Sequence, residues 1–122
     1  MLDSPDLTLK QSIIHMSEEI TFSKYQEQTG KTAVYPEETP LQYLSLGITG
    51  EAGEISEKIK KKERDDELDE EELAKEIGDV IWYLAQLADQ LDKDLSDIAQ
   101  KNIEKLRDRK ERDKVSGSGD NR

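Results

Sequence analysis

Glu51-Ala-Gly-Glu54 and, after an interval of 21 residues, Glu76-Ile-Gly-Asp79 set the fold of this chain. Each is an acid-x-x-acid element with glycine third, embedded in an apolar pattern of helical period. Residues three apart lie on neighbouring turns of one helix face, so each element presents a carboxylate pair. The mean position of the four acids is residue 65. A helical hairpin turning near Asp65 therefore brings the two pairs level, and two facing pairs make an oxygen-lined cation site.

The flanking patterns supply the hairpin's arms. Thr39-Pro40 is a helix start, with threonine at the N-cap and proline in the first turn, where its missing N–H costs nothing. The helix runs on through Leu41, Leu44, Ile48, Ala52, Ile55 and Ile59 to Lys60-Lys61-Lys62, lysines that suit a helix C-terminus. The next helix, Glu70 to Leu91, has the clearest period: Leu73, Ile77, Val80, Ile81, Leu84, Leu87, Ala88 and Leu91. That stripe is expected at the centre of the core. Between the arms, Glu63 to Glu72 carries eight acids, one arginine and one leucine. This is a solvated turn, placed by the weak helix formers Asp65, Asp66 and Asp69.

Gly47, Gly50 and Gly53 recur inside the first arm and cost about 1 kcal/mol each relative to alanine in a helix. Two explanations stay open: close helix packing along a strip without side chains, or approach of a ligand to the backbone.

Outside the hairpin, Leu9, Ile13, Met16 and Ile20 predict a helix over Leu7 to Gln28, ended by Gly30. Thr32 to Glu38, with prolines at 36 and 40, is a connection. Asp94 is expected to cap a last helix with Leu95, Ile98, Ala99, Ile103 and Leu106 on one face, continuing to about Arg112. The basic residues Lys101, Lys105, Arg107, Arg109, Lys110 and Arg112 concentrate there, the one place in an acidic chain suited to holding phosphate. The organisation expected is one helical domain, 1–114, followed by a flexible Gly/Ser-rich tail, 115–122.

The chain has 122 residues and a net charge of −11, with 33% hydrophobic and 39% charged residues. Such a core is lean, and a homo-oligomer burying further apolar surface is expected. The charge argues against general nucleic-acid binding, which needs clustered Lys and Arg. No apolar run approaches the roughly 20 residues of a membrane span, and cytoplasm is the default compartment. There is no cysteine, which removes disulfides and thiolate chemistry. The single histidine, His15, excludes the paired Glu-x-x-His ligands of a bundle di-iron site. EF-hand and P-loop patterns are absent. Carboxylates alone select hard ions, Mg²⁺ or Mn²⁺, and the nucleophile of any hydrolysis would be water. The residues by themselves leave two classes open, a metal-dependent hydrolase of a phosphate compound and a non-catalytic, cation-stabilised helical assembly module.

Leu46-Gly-Ile-Thr-Gly-Glu-Ala-Gly-Glu54, followed by Lys75-Glu-Ile-Gly-Asp-Val-Ile-Trp-Tyr83, resembles the MazG-like family of all-α nucleoside triphosphate pyrophosphohydrolases. The likeness runs from about Tyr25 to the end. It implies a four-helix, bundle-like fold and cleavage of a nucleoside triphosphate to the monophosphate and pyrophosphate by metal-activated water. A related activity on phosphoribosyl-ATP or an alarmone uses the same carboxylates. By the resemblance, Glu51, Glu54, Glu76 and Asp79 hold Mg²⁺, with Mn²⁺ as the alternative ion and Glu51 or Glu54 as catalytic base. Tyr83, Asn102, Lys105 and Arg109 contact the nucleotide. Lys58 is expected to pair with Glu54 at i,i+4 rather than to reach phosphate, and Trp82 to be a core or subunit contact. The family assembles as homodimers or homotetramers, in keeping with the lean core.

Overall fold

Asp66 and Asp69 make the turn on which the molecule is built. A computed structural model describes residues 19–112. It contains α1 (Phe22–Thr29), a 3₁₀ turn (Gly30–Thr32), α2 (Pro40–Asp65), α3 (Glu70–Gln90) and α4 (Leu95–Glu111), with no strand among the described residues. The class is all-α, as expected. Asp66 closes α2 in the left-handed conformation (φ 54°, ψ 34°), its N–H donating to the Lys62 carbonyl at 2.8 Å. Aspartate is among the few residues that adopt this conformation at low cost. Asp69 opens α3, its Oδ1 accepting from the N–H groups of Glu71 and Glu72 at 3.1 and 3.2 Å. Glu70, Glu71 and Glu72 then complement the positive end of the α3 dipole. The middle of the acidic run, Asp66 to Asp69, is thus the turn, while Asp65, expected there, is the last helical residue of α2.

α2 and α3 pair more extensively than any other elements. Gly47 is the point of closest approach: a Cβ there would overlap the Tyr83 ring, whereas one on Gly50 or Gly53 would meet nothing within 4 Å. The packing explanation therefore holds at Gly47 and fails at the other two, whose Cα atoms face open space. Pro40 occupies the first turn of α2 as predicted, but the Thr39 hydroxyl makes no capping bond.

Two expectations need correction. The helix expected over Leu7–Gln28 starts only at Phe22 among the described residues: residues 19–21 are not helical and Thr21 is extended (φ −78°, ψ 159°). The Thr21 hydroxyl accepts the Lys24 N–H at 3.1 Å and caps α1. Leu9, Ile13, Met16, His15 and the tail 115–122 lie outside the described residues. Gly30 ends α1, yet in right-handed geometry (φ −59°), handing the chain to the 3₁₀ turn. Of the α3 stripe, for its part, only Ala88 is buried, and the other buried apolar residue of α3, Ala85, lies off the expected series. Ile77, Leu84 and Leu91 are each more than 40% exposed.

Leu44, Ala85 and Ala88 are the buried apolar side chains among the described residues, and Gln86 is buried with them. Gln86 Nε2 donates to Thr29 Oγ1 at 2.8 Å, and its Oε1 accepts from the Tyr35 hydroxyl at 2.7 Å. Thr29 donates onward to the Gln26 carbonyl at 2.6 Å, and Gln90 Nε2 donates to Tyr35 at 2.8 Å. This network fixes the loop after α1 against α3. At the far end Asp94 caps α4 as predicted, accepting from the N–H groups of Ser96 and Asp97. Ser23 ties α1 to that cap: its hydroxyl donates to Asp94 at 2.8 Å and its N–H to Ser96 Oγ at 2.8 Å. Gln26 Oε1 accepts the Leu95 N–H at 2.8 Å while its Nε2 donates to the Lys93 carbonyl at 2.9 Å.

Candidate functional site

Glu51 on α2 and Glu76 and Asp79 on α3 converge, each offering a carboxylate oxygen within 4.8 Å of the others. Burial is the main influence raising the Glu51 carboxyl above its ordinary 4.5, followed by a hydrogen bond with Glu76 and the charges of Asp79, Glu76 and Glu54. A proton therefore relieves part of the repulsion that a cation would relieve more fully. The oxygen-only donor set suits a hard divalent cation such as Mg²⁺ or Mn²⁺.

Glu54 stands outside this close triad. It is exposed, one turn along α2 from Glu51, and acts on Glu51 through its charge. The four acids predicted from spacing are accordingly three in close contact and one at the rim. Lys58 pairs not with Glu54 but with Glu76: its Nζ lies 3.8 Å from Glu76 Oε1, across the hairpin. The cross-hairpin acid outcompetes the neighbour on the same helix because Glu76 is held in a half-buried, acid-rich spot where a cation lowers the local repulsion.

Beside the triad opens a cleft of about 330 Å³ lined by Thr32, Glu51, Asp79, Trp82 and Tyr83. Its aromatic wall continues as a row of rings. Trp82 meets Tyr83 edge-on at 5.1 Å, Tyr83 tilts against Tyr43 at 6.5 Å, and Tyr43 stacks on Tyr35 at 5.7 Å. Trp82 Nε1 donates to Thr32 Oγ1 at 2.8 Å, which pins the indole at the cleft mouth. Burial, with smaller contributions from Tyr43, Glu51 and Asp79, raises the Tyr83 phenol above 10.0. Burial and the charge of Asp79 do the same for Tyr25 on α1. Both phenols remain protonated donors at neutral pH.

Of the nucleotide contacts expected from sequence, Tyr83 therefore lines the cleft. Asn102 is exposed on α4, Lys105 is half-buried and Arg109 is buried at 3% exposure. α4 packs on α1 and α3 and has no comparable pairing with α2, so the described contacts do not bring these three to the acids. Sequence reasoning missed Thr32 and assigned Trp82 to the core or a subunit contact. The signal available for Trp82 was its position three residues after Asp79, on the acid face of α3.

The sequence pattern of the MazG nucleotide pyrophosphohydrolase domain matches residues 39–113. The Gene 37 protein of Mycobacterium phage L5 is 45% identical, the match covering 80% of this chain and 96% of that protein. No solved structure gives a significant match. The matched span takes in α2, α3 and α4, more than half of the chain and all of the acid triad. This chain belongs to the MazG nucleotide pyrophosphohydrolase family.

Proposed function

We propose that this chain is a Mg²⁺-dependent hydrolase that cleaves a nucleoside triphosphate to the monophosphate and pyrophosphate. The observation that carries the proposal is the convergence of Glu51, Glu76 and Asp79 from facing helices, with oxygens within 4.8 Å, inside a domain of this family. These three would hold the ion, and Mn²⁺ satisfies the same donors. When bound, the cation supplies positive charge shared between carboxylates and phosphate oxygens and lowers the pKa of a coordinated water. It also reconciles an acidic protein with a polyanionic substrate.

The chain's own residues supply the rest. Glu54, exposed at the rim and outside the close triad, is the carboxylate left to accept the proton of the attacking water, with Glu51 as the other candidate base. Trp82 and Tyr83 offer apolar faces for a base or sugar, and their contact with one another limits the space beside the acids. Asn102 and Lys105 are proposed as phosphate or sugar contacts approached from a second copy, in keeping with the packing of α4 on α1 and α3, and Arg109, 3% exposed, is proposed to reach the nucleotide only by leaving its buried position. A homodimer or homotetramer also suits exposed Leu46, Leu84, Ile98 and Ile103. Among the described residues no helix is long and apolar enough to cross a membrane, which agrees with a cytoplasmic enzyme acting on free nucleotides.

Pyrophosphate release across a panel of ribo- and deoxyribonucleoside triphosphates, with Mg²⁺ and with chelator, tests the proposal. Release is expected with the ion only. Turnover that persists in chelator, or that survives both Glu54→Gln and Asp79→Asn, would overturn it.

A further inference from the structure

The triad sits between two openings of opposite chemistry. On one side is the cleft of Thr32, Trp82 and Tyr83, which shares Glu51 and Asp79 with the triad. On the other, toward the hairpin turn, a groove is lined by Lys58, Lys61 and the residues from Asp65 to Glu72. Lys58 stands at the boundary, its Nζ 3.8 Å from Glu76 Oε1. Along α2 it lies seven residues, about 10 Å, beyond Glu51 toward the turn.

We infer that the hairpin fixes the direction in which a nucleotide lies: the nucleoside faces Trp82 and Tyr83, and the leaving pyrophosphate is held by Lys58 on the turn side of the triad. This rests on the hydrolase proposal above. The aromatic side is suited to a base, since stacking contributes about 1–3 kcal/mol per base, whereas the turn-side groove contains no aromatic residue. Phosphate requires cations, and Lys58 is the lysine that reaches the triad, at Glu76.

Lys58 is also not committed to Glu76 as a structural clamp. The separation of 3.8 Å is longer than a hydrogen bond, and both side chains keep solvent contact, at 29% and 17% exposure. Pairs of this kind contribute little to stability, so a phosphate oxygen can replace Glu76 as partner once the acids have a cation of their own. Beyond Lys58 and Lys61 the groove wall runs from Asp65 to Glu72 and is acidic at every position but Leu68. A tail longer than the leaving pyrophosphate would meet carboxylates, which makes Lys58 the terminal anchor.

The molecule carries its own reporter, because Trp82 is its single tryptophan. The full chain, Lys58→Ala and Lys58→Arg are titrated in Mg²⁺ with inorganic pyrophosphate by calorimetry, and with dAMP, dCMP, dGMP and dTMP while Trp82 emission is followed. Melting curves in parallel confirm that each variant is folded, and Lys58→Gln replaces the alanine variant if that one melts early. Pyrophosphate affinity is expected to fall about tenfold in Lys58→Ala and to recover in Lys58→Arg, as for loss of one charge-assisted contact. Monophosphates should quench Trp82 equally in all forms, and pyrophosphate alone should not quench it. Unchanged pyrophosphate affinity in Lys58→Ala, with the wild type active, overturns the inference and leaves the hydrolase proposal standing. So does equal quenching by pyrophosphate. A wild type that binds no pyrophosphate and cleaves no triphosphate overturns both.

Discussion

Asp94 caps a helix start and Glu51 lies midway along the hairpin, and the fold treats these two acids in opposite ways. Asp94 meets donors: the Ser23 hydroxyl foremost, then the N–H groups of Ser96 and Asp97, which hold its carboxyl below the ordinary 3.8. Glu51 meets burial and other acids, which raise it above 4.5. The first acid is satisfied by the chain itself and secures the joint of α1 with α4. The second has another acid, Glu76, as its hydrogen-bond partner and further acids around it, so a cation would relieve what the chain itself does not. Charge satisfied internally marks the scaffold; charge left over marks the site.

Substitutions that move an acid or its surroundings from one condition to the other probe this contrast. The largest effect is expected from Asp79→Asn, which should reduce kcat/KM by at least about 100-fold, as for loss of a principal electrostatic group, while circular dichroism stays unchanged. A variant that retained activity would mean that the unsatisfied acids are not the site. Next is Gly47→Ala, where the added methyl must displace the Tyr83 ring. About 1–3 kcal/mol of stability should be lost in a denaturant titration. Gly50→Ala, with nothing within 4 Å of the new Cβ, should instead gain up to about 1 kcal/mol from helix propensity.

The two acids differ further in their pH dependence. Because Asp94 is lowered in the fold, its contribution is present above 3.8 and is lost as pH falls through the lower folded value. Asp94→Ala should therefore lower the melting temperature at neutral pH and flatten the acid limb of the stability curve. Because Glu51 is raised, the metal-free fold has its full contribution below 4.5 and loses it as pH rises through the higher folded value. Metal-free Glu51→Gln should thus melt with the wild type at low pH and above it at neutral pH. Adding Mg²⁺ should reverse the order, since only the wild type gains the full binding contribution. Melting curves at several pH values, with ion and with chelator, read all of these.

The hairpin was legible because its determinants are local. Helical periodicity, the aspartates of the turn and the equidistance of the acids from residue 65 all lie within one stretch. Gly47 and Tyr83 are equidistant from 65 as well, and they meet. What was illegible depended on packing between elements. Spacing on one helix gave Lys58 to Glu54, whereas the geometry of the hairpin gave it to Glu76. The apolar series Leu9 to Ile20 ran on toward α1 because periodicity does not register a threonine whose hydroxyl takes over a backbone N–H. Thr32 joined the cleft through Trp82, a bond across 50 residues of sequence that no local pattern announces. Glu54 fell outside the triad because equal spacing does not ensure equal side-chain direction.

Gln86 has a consequence for how this molecule can change over time. Hydrogens run one way through its network, from Gln90 to Tyr35 to Gln86, and from Gln86 to Thr29 to the Gln26 carbonyl. Replacing Thr29 or Tyr35 by an apolar residue strands the amide nitrogen or oxygen of buried Gln86 beside a core that contains only Leu44, Ala85 and Ala88 as buried apolar side chains among the described residues. Those positions should consequently be inherited as a set, drifting together or not at all, while exposed residues of the intervening loop such as Glu37 and Glu38 are free to vary.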